Sequence, residues 1–350
     1  MTDAHSPWPL FCNDLEQAQQ WVGDQLANAP CDLQLGHQAL SLGMNGTVRE
    51  ILSREDLPLQ DSTGRQWRFR LARLQGVSNP YSELIPPDVQ AFTDLQMDHA
   101  RRMSVPAVVS LLGGIGDHLE VISMLLAWSR IESHPLILQV TPERQEALAP
   151  LVEPIPQLSL QSTIHPRAIQ GMAMREWICR HHGVIRFGAW IQVGHEANDK
   201  PKGTLCCWKA KGEDNLLSAY LRSVPFALVM DFYKKALAKD PKVELIDISD
   251  WTPHEKHQLK ALGVQCRDPR AIGLKGLIQL CLPREIITID TALAHLCAVM
   301  GKDTTLLLNH FPDERWVELH QPHHCYGQHL RIKKQVHFSD WTETLSALIS

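Results

Sequence analysis

Glu285-Ile-Ile-Thr-Ile-Asp-Thr-Ala-Leu-Ala-His-Leu-Cys-Ala-Val-Met-Gly-Lys302 is the stretch from which the rest of the chain is read. Ile286, Ile287 and Ile289 form a buried β-branched strand, and Asp290-Thr291 follow at once as helix-capping residues. Ala292, Ala294, Ala298 and Met300 continue as helix formers, and Gly301 stops the helix. Such a turn sets the free N–H groups and positive dipole end of a helix at the carboxyl edge of a parallel sheet. Phosphate-bearing ligands bind at that edge. The same residues also read as a plain strand-to-helix cap.

Composition bounds the class. The chain has 350 residues, 44% apolar and 21% charged, enough for two or three domains of an ordinary globular protein. Its formal charge of -5 argues against a general nucleic-acid binder, which needs clustered Lys and Arg. Nine cysteines show no framework spacing and no C-x-x-C, which fits a reducing compartment. Neither a leader pattern nor a run approaching about 18 apolar residues is visible, so the expected location is cytoplasmic.

Residues 1–103 carry the weakest fold signal and read as a mostly helical extension. Leu15, Ala18, Trp21, Val22 and Leu26 share one helical face, and 33–42, 48–52 and 82–102 also read as helical. Gln66 to Leu74 alternates in part and reads as a strand whose Arg68, Arg70 and Arg73 form a small basic cluster. That cluster is either a solvated face or a contact for a phosphate or anionic headgroup.

At Ser104 the pattern changes. Val105 to Leu112 is a continuous apolar strand, Gly113-Gly-Ile-Gly-Asp-His118 a glycine turn, and Leu119 to Trp128 a helix. A strand at 135–140 and a helix from Pro142 complete a β-α-β-α pattern, which predicts a parallel sheet with helices on its faces. After a boundary in 183–199, a second α/β unit opens with the strand Thr204 to Trp208 and the loop Lys209-Ala-Lys-Gly-Glu-Asp-Asn215. A helix over 226–239, a strand over 243–248, a helix opened by Trp251 to Glu255, the opening stretch and the strand 304–308 follow. The expected division is an extension at 1–103, one α/β half at 104–190 and another at 191–350.

The chemistry-bearing residues have bland readings beside the functional ones. Gly114-Ile-Gly116 lacks the third glycine of a dinucleotide fingerprint, where Leu119 stands, and no acid ends the second strand. Gly113, Gly114 and Gly116 then form either a tight turn capped by Asp117 or a turn that lets a ligand approach the backbone while Asp117 takes a proton. Thr291 and His295, four residues apart, share a helical face on which hydroxyl, imidazole and N–H groups would converge on one anion. Lys209 and Lys211 are candidate phosphate cations or solvated lysines. His320, His323, His324, Cys325 and His329 match no zinc spacing, so no metal is expected.

With these segments in place, the chain from about residue 104 onward resembles glycosyltransferase family 9, the heptosyltransferase-like group. Leu112-Gly-Gly-Ile-Gly-Asp117 looks like the family's first glycine turn, and Arg222-Ser-Val-Pro225 resembles its R-S-[IV]-P segment. Asp290 to Lys302 is similar to its D-T-A-x-A-H-L-A-x-A-L-G-K signature, and Phe311-Pro-Asp-Glu-Arg-Trp316 to a following P-D-W-R-W. The resemblance implies a GT-B fold: two Rossmann-like domains with parallel sheets facing a cleft, the acceptor held by the N-terminal one and the donor by the C-terminal one.

It further implies inverting, metal-independent transfer from a nucleotide-diphosphate sugar, with no other cofactor. The acceptor is a glycan, a lipid-linked group or a protein; peripheral membrane contact is compatible with it. By matching position, Asp117 is the general base, Thr291, Ala292 and His295 grip the donor diphosphate beside Asp290, Lys209 lies near the phosphates, and Glu255 contacts the nucleoside. Cys206-Cys207-Trp208 and Glu314 depart from the family pattern. They motivate the alternatives of a non-catalytic GT-B-like binding or assembly module and of a sugar-nucleotide epimerase.

Overall fold

The computed structural model of the protein describes residues 14–30, 32–54, 68, 71, 102–103, 105–132, 135–163, 169–170, 188–192, 202–210, 216–313, 316 and 328–349. Three helices come first: α1 (Leu15–Asn28), α2 (Leu33–Ser41) and α3 (Asn45–Leu52). Asp14 and Asp32 cap α1 and α2 by accepting from Gln17 N and Leu35 N, satisfying first-turn donors that the helices cannot. Ala18, Val22 and Leu26, one turn apart, are buried with Ala39, Leu40, Leu42, Val48 and Ile51, and Leu15 and Trp21 pack against them. The strand expected over 66–74 is not formed where it is described. Arg68 and Leu71 are helical and Leu71 is buried among these helices, because burial in a helical cluster favours the i, i+3 period over the partial alternation. Arg70 and Arg73, and nearly all of 82–102, lie outside the described residues.

The first α/β half runs β1 (Ala107–Leu112), α4 (Ile115–Glu132), β2 (Leu136–Gln139), α5 (Pro142–Val152), β3 (Leu158–Gln161) and β4 (Ile169–Gln170). Its sheet has the order β3-β2-β1-β4, and every pairing is parallel. The second runs β5 (Gly203–Cys207), α6 (Leu216–Arg222), α7 (Phe226–Lys239), β6 (Glu244–Asp247), α8 (Pro253–Ala261), β7 (Gln265–Cys266), α9 (Pro269–Cys281), β8 (Glu285–Ile289), α10 (Ala292–Met300), β9 (Thr304–Leu308), β10 (Leu330–Lys334) and α11 (Thr342–Ile349). Its order is β10-β9-β8-β5-β6-β7, again parallel throughout. The α/β class with two parallel sheets stands as the sequence predicts.

The second sheet is covered on both faces, and its alternation shows it. Leu205 and Cys207 belong to one core with Ile286 and Leu306; Cys206 and Trp208 belong to another with Ile287 and Leu307. Residues of successive parity point to opposite faces, so a run without polar breaks is what a doubly covered strand requires. The first of these cores does not stop at the sheet. It continues through α10 into α4 and the first sheet, and Trp190 ties the two helices by donating from Nε1 to Leu119 O at 3.2 Å and from its backbone N to Val299 O at 2.8 Å.

Two glycines in this frame bound helices that matter to the site. At Gly301 the backbone is left-handed, φ 64°, where glycine is favoured, and it ends α10 as expected. After β1, Gly113 has φ 133°, and the helix begins at Ile115, four residues earlier than Leu119. The expected glycine turn therefore shrinks to Gly113-Gly114, and Gly116, Asp117 and His118 are helical.

Candidate active site

Both sheets turn their carboxyl edges toward one cleft of about 510 Å³. Gly114, Ile115 and Gly116 follow β1; Lys209 and Ala210 follow β5; Ser249 and Asp250 follow β6; Arg267 and Asp268 follow β7; Thr291, Ala292 and Leu293 follow β8, and all of these line it. This is the position ligands take in open α/β sheets, since strand ends and helix N-termini meet there.

The floor is the turn into α10. Thr291 is its N-cap, with extended backbone, but makes no side-chain cap hydrogen bond. Its hydroxyl instead lies 3.2 Å from Thr288 Oγ1 and 3.4 Å from Ile289 O. The first-turn amides of Ala292 and Leu293 thus reach the cleft without a side-chain cap of the helix's own, an arrangement suited to an anion. Beside it, Arg222 donates from Nη1 to Asp290 O at 2.8 Å and lies 3.4 Å from Asp290 Oδ2. Cys207 also lines the cleft, and burial pushes its thiol up to about 12, so it stays neutral.

The lining is cationic. Arg144, Lys209, Arg222, Lys256, Arg267 and Arg270 face Asp250, Asp268 and Asp290. Arg270 pairs with Asp250 at 3.2 Å and with Asp268 at 3.5 Å, and Arg222 with Asp290. Among the described residues Arg144, Lys209, Lys256 and Arg267 make no ion pair, and the lining keeps an excess of positive charge. Lys209 holds its ammonium 5.4 Å from the centre of the Trp251 ring, a contact that orients it without neutralising it.

That wall is braced from behind by a buried polar network. Asp247 is fully buried and accepts from Tyr233 Oη at 2.9 Å, Trp251 Nε1 at 3.0 Å and Ser249 N at 2.7 Å. Burial raises its carboxyl above the ordinary range, and these donors offset that rise. Ser249 Oγ in turn accepts from Trp208 N at 2.7 Å, so the loops after β5 and β6 are held together.

The sequence-predicted residues divide on this geometry. Thr291, Ala292, Asp290, Lys209, Gly114 and Gly116 come together at the cleft. His295 does not. It is 4% exposed, its ring centre lies 4.9 Å from that of Trp316, and it packs over Gly116, where a Cβ would fall 2.5 Å from its Cδ2. The spacing from Thr291 implies a shared face, but every residue of α10 from Leu293 to Met300 is buried, so the His295 face is spent on α4.

Asp117 is not among the cleft-lining residues. It is the third residue of α4, and its Oδ2 accepts from Gly114 N at 2.8 Å, the reciprocal half of a capping box rather than the N-cap itself. Gly113 lies under this carboxylate, with a would-be Cβ 2.8 Å from Oδ2. His118 is also buried in the same turn, with Nδ1 2.8 Å from Gly114 O. Glu255 closes a full capping box with Thr252 and lines an adjoining pocket of about 490 Å³, which shares Lys209, Ala210 and Asp250 with the cleft and is walled by Tyr220, Phe226, Trp251 and Trp341. Lys211 and most of the histidine-rich loop, His320, His323, His324 and Cys325 included, lie outside the described residues. Among the described residues no group of three or more His, Cys, Asp or Glu is placed to hold a metal, and no helix is long and apolar enough to cross a membrane.

Sequence reading missed Arg144, Lys256, Arg267 and Arg270. The one available signal was position: Arg267-Asp-Pro-Arg270 follows a strand, but β7 has only two residues and leaves no hydrophobic run to find.

No protein-family model and no curated protein matches the chain. Among solved structures it is similar to E. coli heptosyltransferase WaaC with ADP-2-deoxy-2-fluoro heptose, at 12% identity over 69% of this chain and 98% of that one, TM-score 0.43. E. coli ADP-heptose lps heptosyltransferase II is similar at 10% identity over 69% of this chain and 98% of that one, TM-score 0.44.

Proposed function

We propose that the protein is a glycosyltransferase that moves a sugar from a nucleoside-diphosphate donor to an acceptor hydroxyl. One observation carries the reading: the α10 first turn, without a side-chain cap, lines one cleft with an excess of cations and with Gly114, Ile115 and Gly116 at the start of α4. The donor diphosphate lies on the Ala292 and Leu293 amides with Thr291, Lys209 and Arg222 around it. The nucleoside extends toward the aromatic pocket that Glu255 lines. The acceptor oxygen attacks the anomeric carbon from the Gly114 side, the bond to the diphosphate oxygen breaks with inversion, and the acceptor proton passes to Asp117. Charge developing on the leaving diphosphate is stabilised by fixed donors and cations, the main contribution a protein makes to such a step.

Calorimetric titration with ADP, GDP, UDP and CDP tests the donor half. At least one is expected to bind, and more weakly in Lys209→Ala. Binding of none by the folded protein sinks the reading. A second reading, a non-catalytic nucleotide-binding module, is favoured by the Asp117 carboxylate being turned back onto Gly114 N. Slow hydrolysis of the matching nucleotide sugar, lost in Asp117→Ala, decides for the enzyme; no hydrolysis or transfer despite tight binding decides for the module.

A further inference from the structure

The helices α1–α3 have no part in either parallel sheet, yet they meet the second half at two places. Leu217 and Leu221 of α6, one turn apart and both buried, belong to the α1–α3 cluster and to neither sheet core. At the second place, Gly43 sits against Phe311, where a Cβ would fall 2.8 Å from the ring, and Phe338 packs on the same cluster.

The first contact leads into the cleft. α6 has seven residues, and a helix so short has no stability in water apart from its packing. Its last residue is Arg222, which spans 68 positions of sequence to donate to Asp290 O, the carbonyl that precedes the α10 cap. The next residue, Ser223, accepts from Ala210 N at 2.9 Å and itself donates to Ala219 O. A helix with one apolar face on α1–α3 and its C-terminal end on Asp290 and Ala210 fixes two segments of the cleft lining at once.

We propose that the N-terminal helical unit is a built-in support of the cleft: by covering the Leu217–Leu221 face of α6 it holds Arg222 on Asp290, and so keeps the α10 first turn in place for the ligand. Leu217 and Leu221 are positioning residues, acting through Arg222. The inference rests on the reading of the cleft as a diphosphate site.

The test uses the full chain and Leu217→Ala, with Leu217→Met as the conservative rescue and Leu345→Ala, a similar truncation in the core on α11, as the comparator. Hydrogen exchange is read at 216–222 and 292–294, and affinity by calorimetry with whichever of ADP, GDP, UDP and CDP binds the parent. Leu217→Ala is expected to speed exchange in both segments and to weaken binding roughly two- to thirty-fold. Leu217→Met restores both, and Leu345→Ala moves neither beyond its general loss of stability. Unchanged exchange at 292–294 in a folded Leu217→Ala protein overturns the proposal, and so does equal weakening by Leu345→Ala. If the parent binds no nucleotide, the functional reading falls by itself, and the exchange measurement still decides the coupling. Should Leu217→Ala fail to fold, Leu221→Val serves with the same expected and overturning results.

Discussion

Tyr233 donates its hydroxyl proton to Oδ2 of Asp247 at 2.9 Å while accepting from Trp208 Nε1 at 2.8 Å. All three groups are buried, so the phenol adds a side-chain bridge between the end of β5 and the end of β6 beside the backbone link from Trp208 N to Ser249 Oγ. Tyr233→Phe leaves an indole N–H short of its acceptor and a buried carboxylate short of a donor. Its expected cost is roughly 1–3 kcal/mol, read as a lower denaturation midpoint with an unchanged m-value.

His118 sets an acid limit on stability. Burial lowers its pKa from the ordinary 6.5, outweighing the bond to Gly114 that raises it, and its buried Nε2 has no hydrogen-bond partner among the described residues. The unfolded chain therefore binds a proton at higher pH than the folded one. The stability from this group is fully present above 6.5 and is lost as pH falls from there through the lower folded value. Thermal melts across that window should decline in the parent, and His118→Leu should flatten the decline.

Gly116 of α4 packs against the His295 ring of α10. Gly116→Ala sets a methyl 2.5 Å from the imidazole Cδ2. Overpacking of this kind costs about 1–3 kcal/mol, and the double variant Gly116→Ala/His295→Ala should recover part of it. A double-variant cycle of unfolding free energies checks the coupling; strict additivity would show that the two side chains do not meet.

Arg267, in the loop after β7, is expected to contribute through charge. Arg267→Ala should weaken nucleoside-diphosphate binding roughly tenfold at low salt, with the gap to the parent narrowing as ionic strength rises. Titrations at two salt concentrations measure both effects.

How far the sequence foretold this molecule depended on what kind of signal each part carried. Glu285 to Lys302 was readable because a β-branched run, a cap and a terminal glycine each act locally, and the strand, helix and left-handed Gly301 fall where expected. The start of α4 was not, since Ile and Gly are poor opening residues for a helix and only packing against α10 makes them helical. His295 misled because i, i+4 spacing defines a face without saying what covers it. The cations of 256–270 were invisible for another reason: charge in a loop has no period, and only the tertiary arrangement of strand ends turns it into a site. The role of α6 was equally hidden, because Leu217 and Leu221 look like any short apolar pair until α1–α3 are seen against them.

The continuous interior shared by α4 and α10 fixes the jaw width of this protein. Two α/β halves with separate cores can swing about a linker, but here widening the gap would pull Trp190 from Leu119 and Val299 and wet the helix pair. The same packing opposes any change in the spacing between Gly114 and the first turn of α10, the two segments that line the cleft from opposite halves.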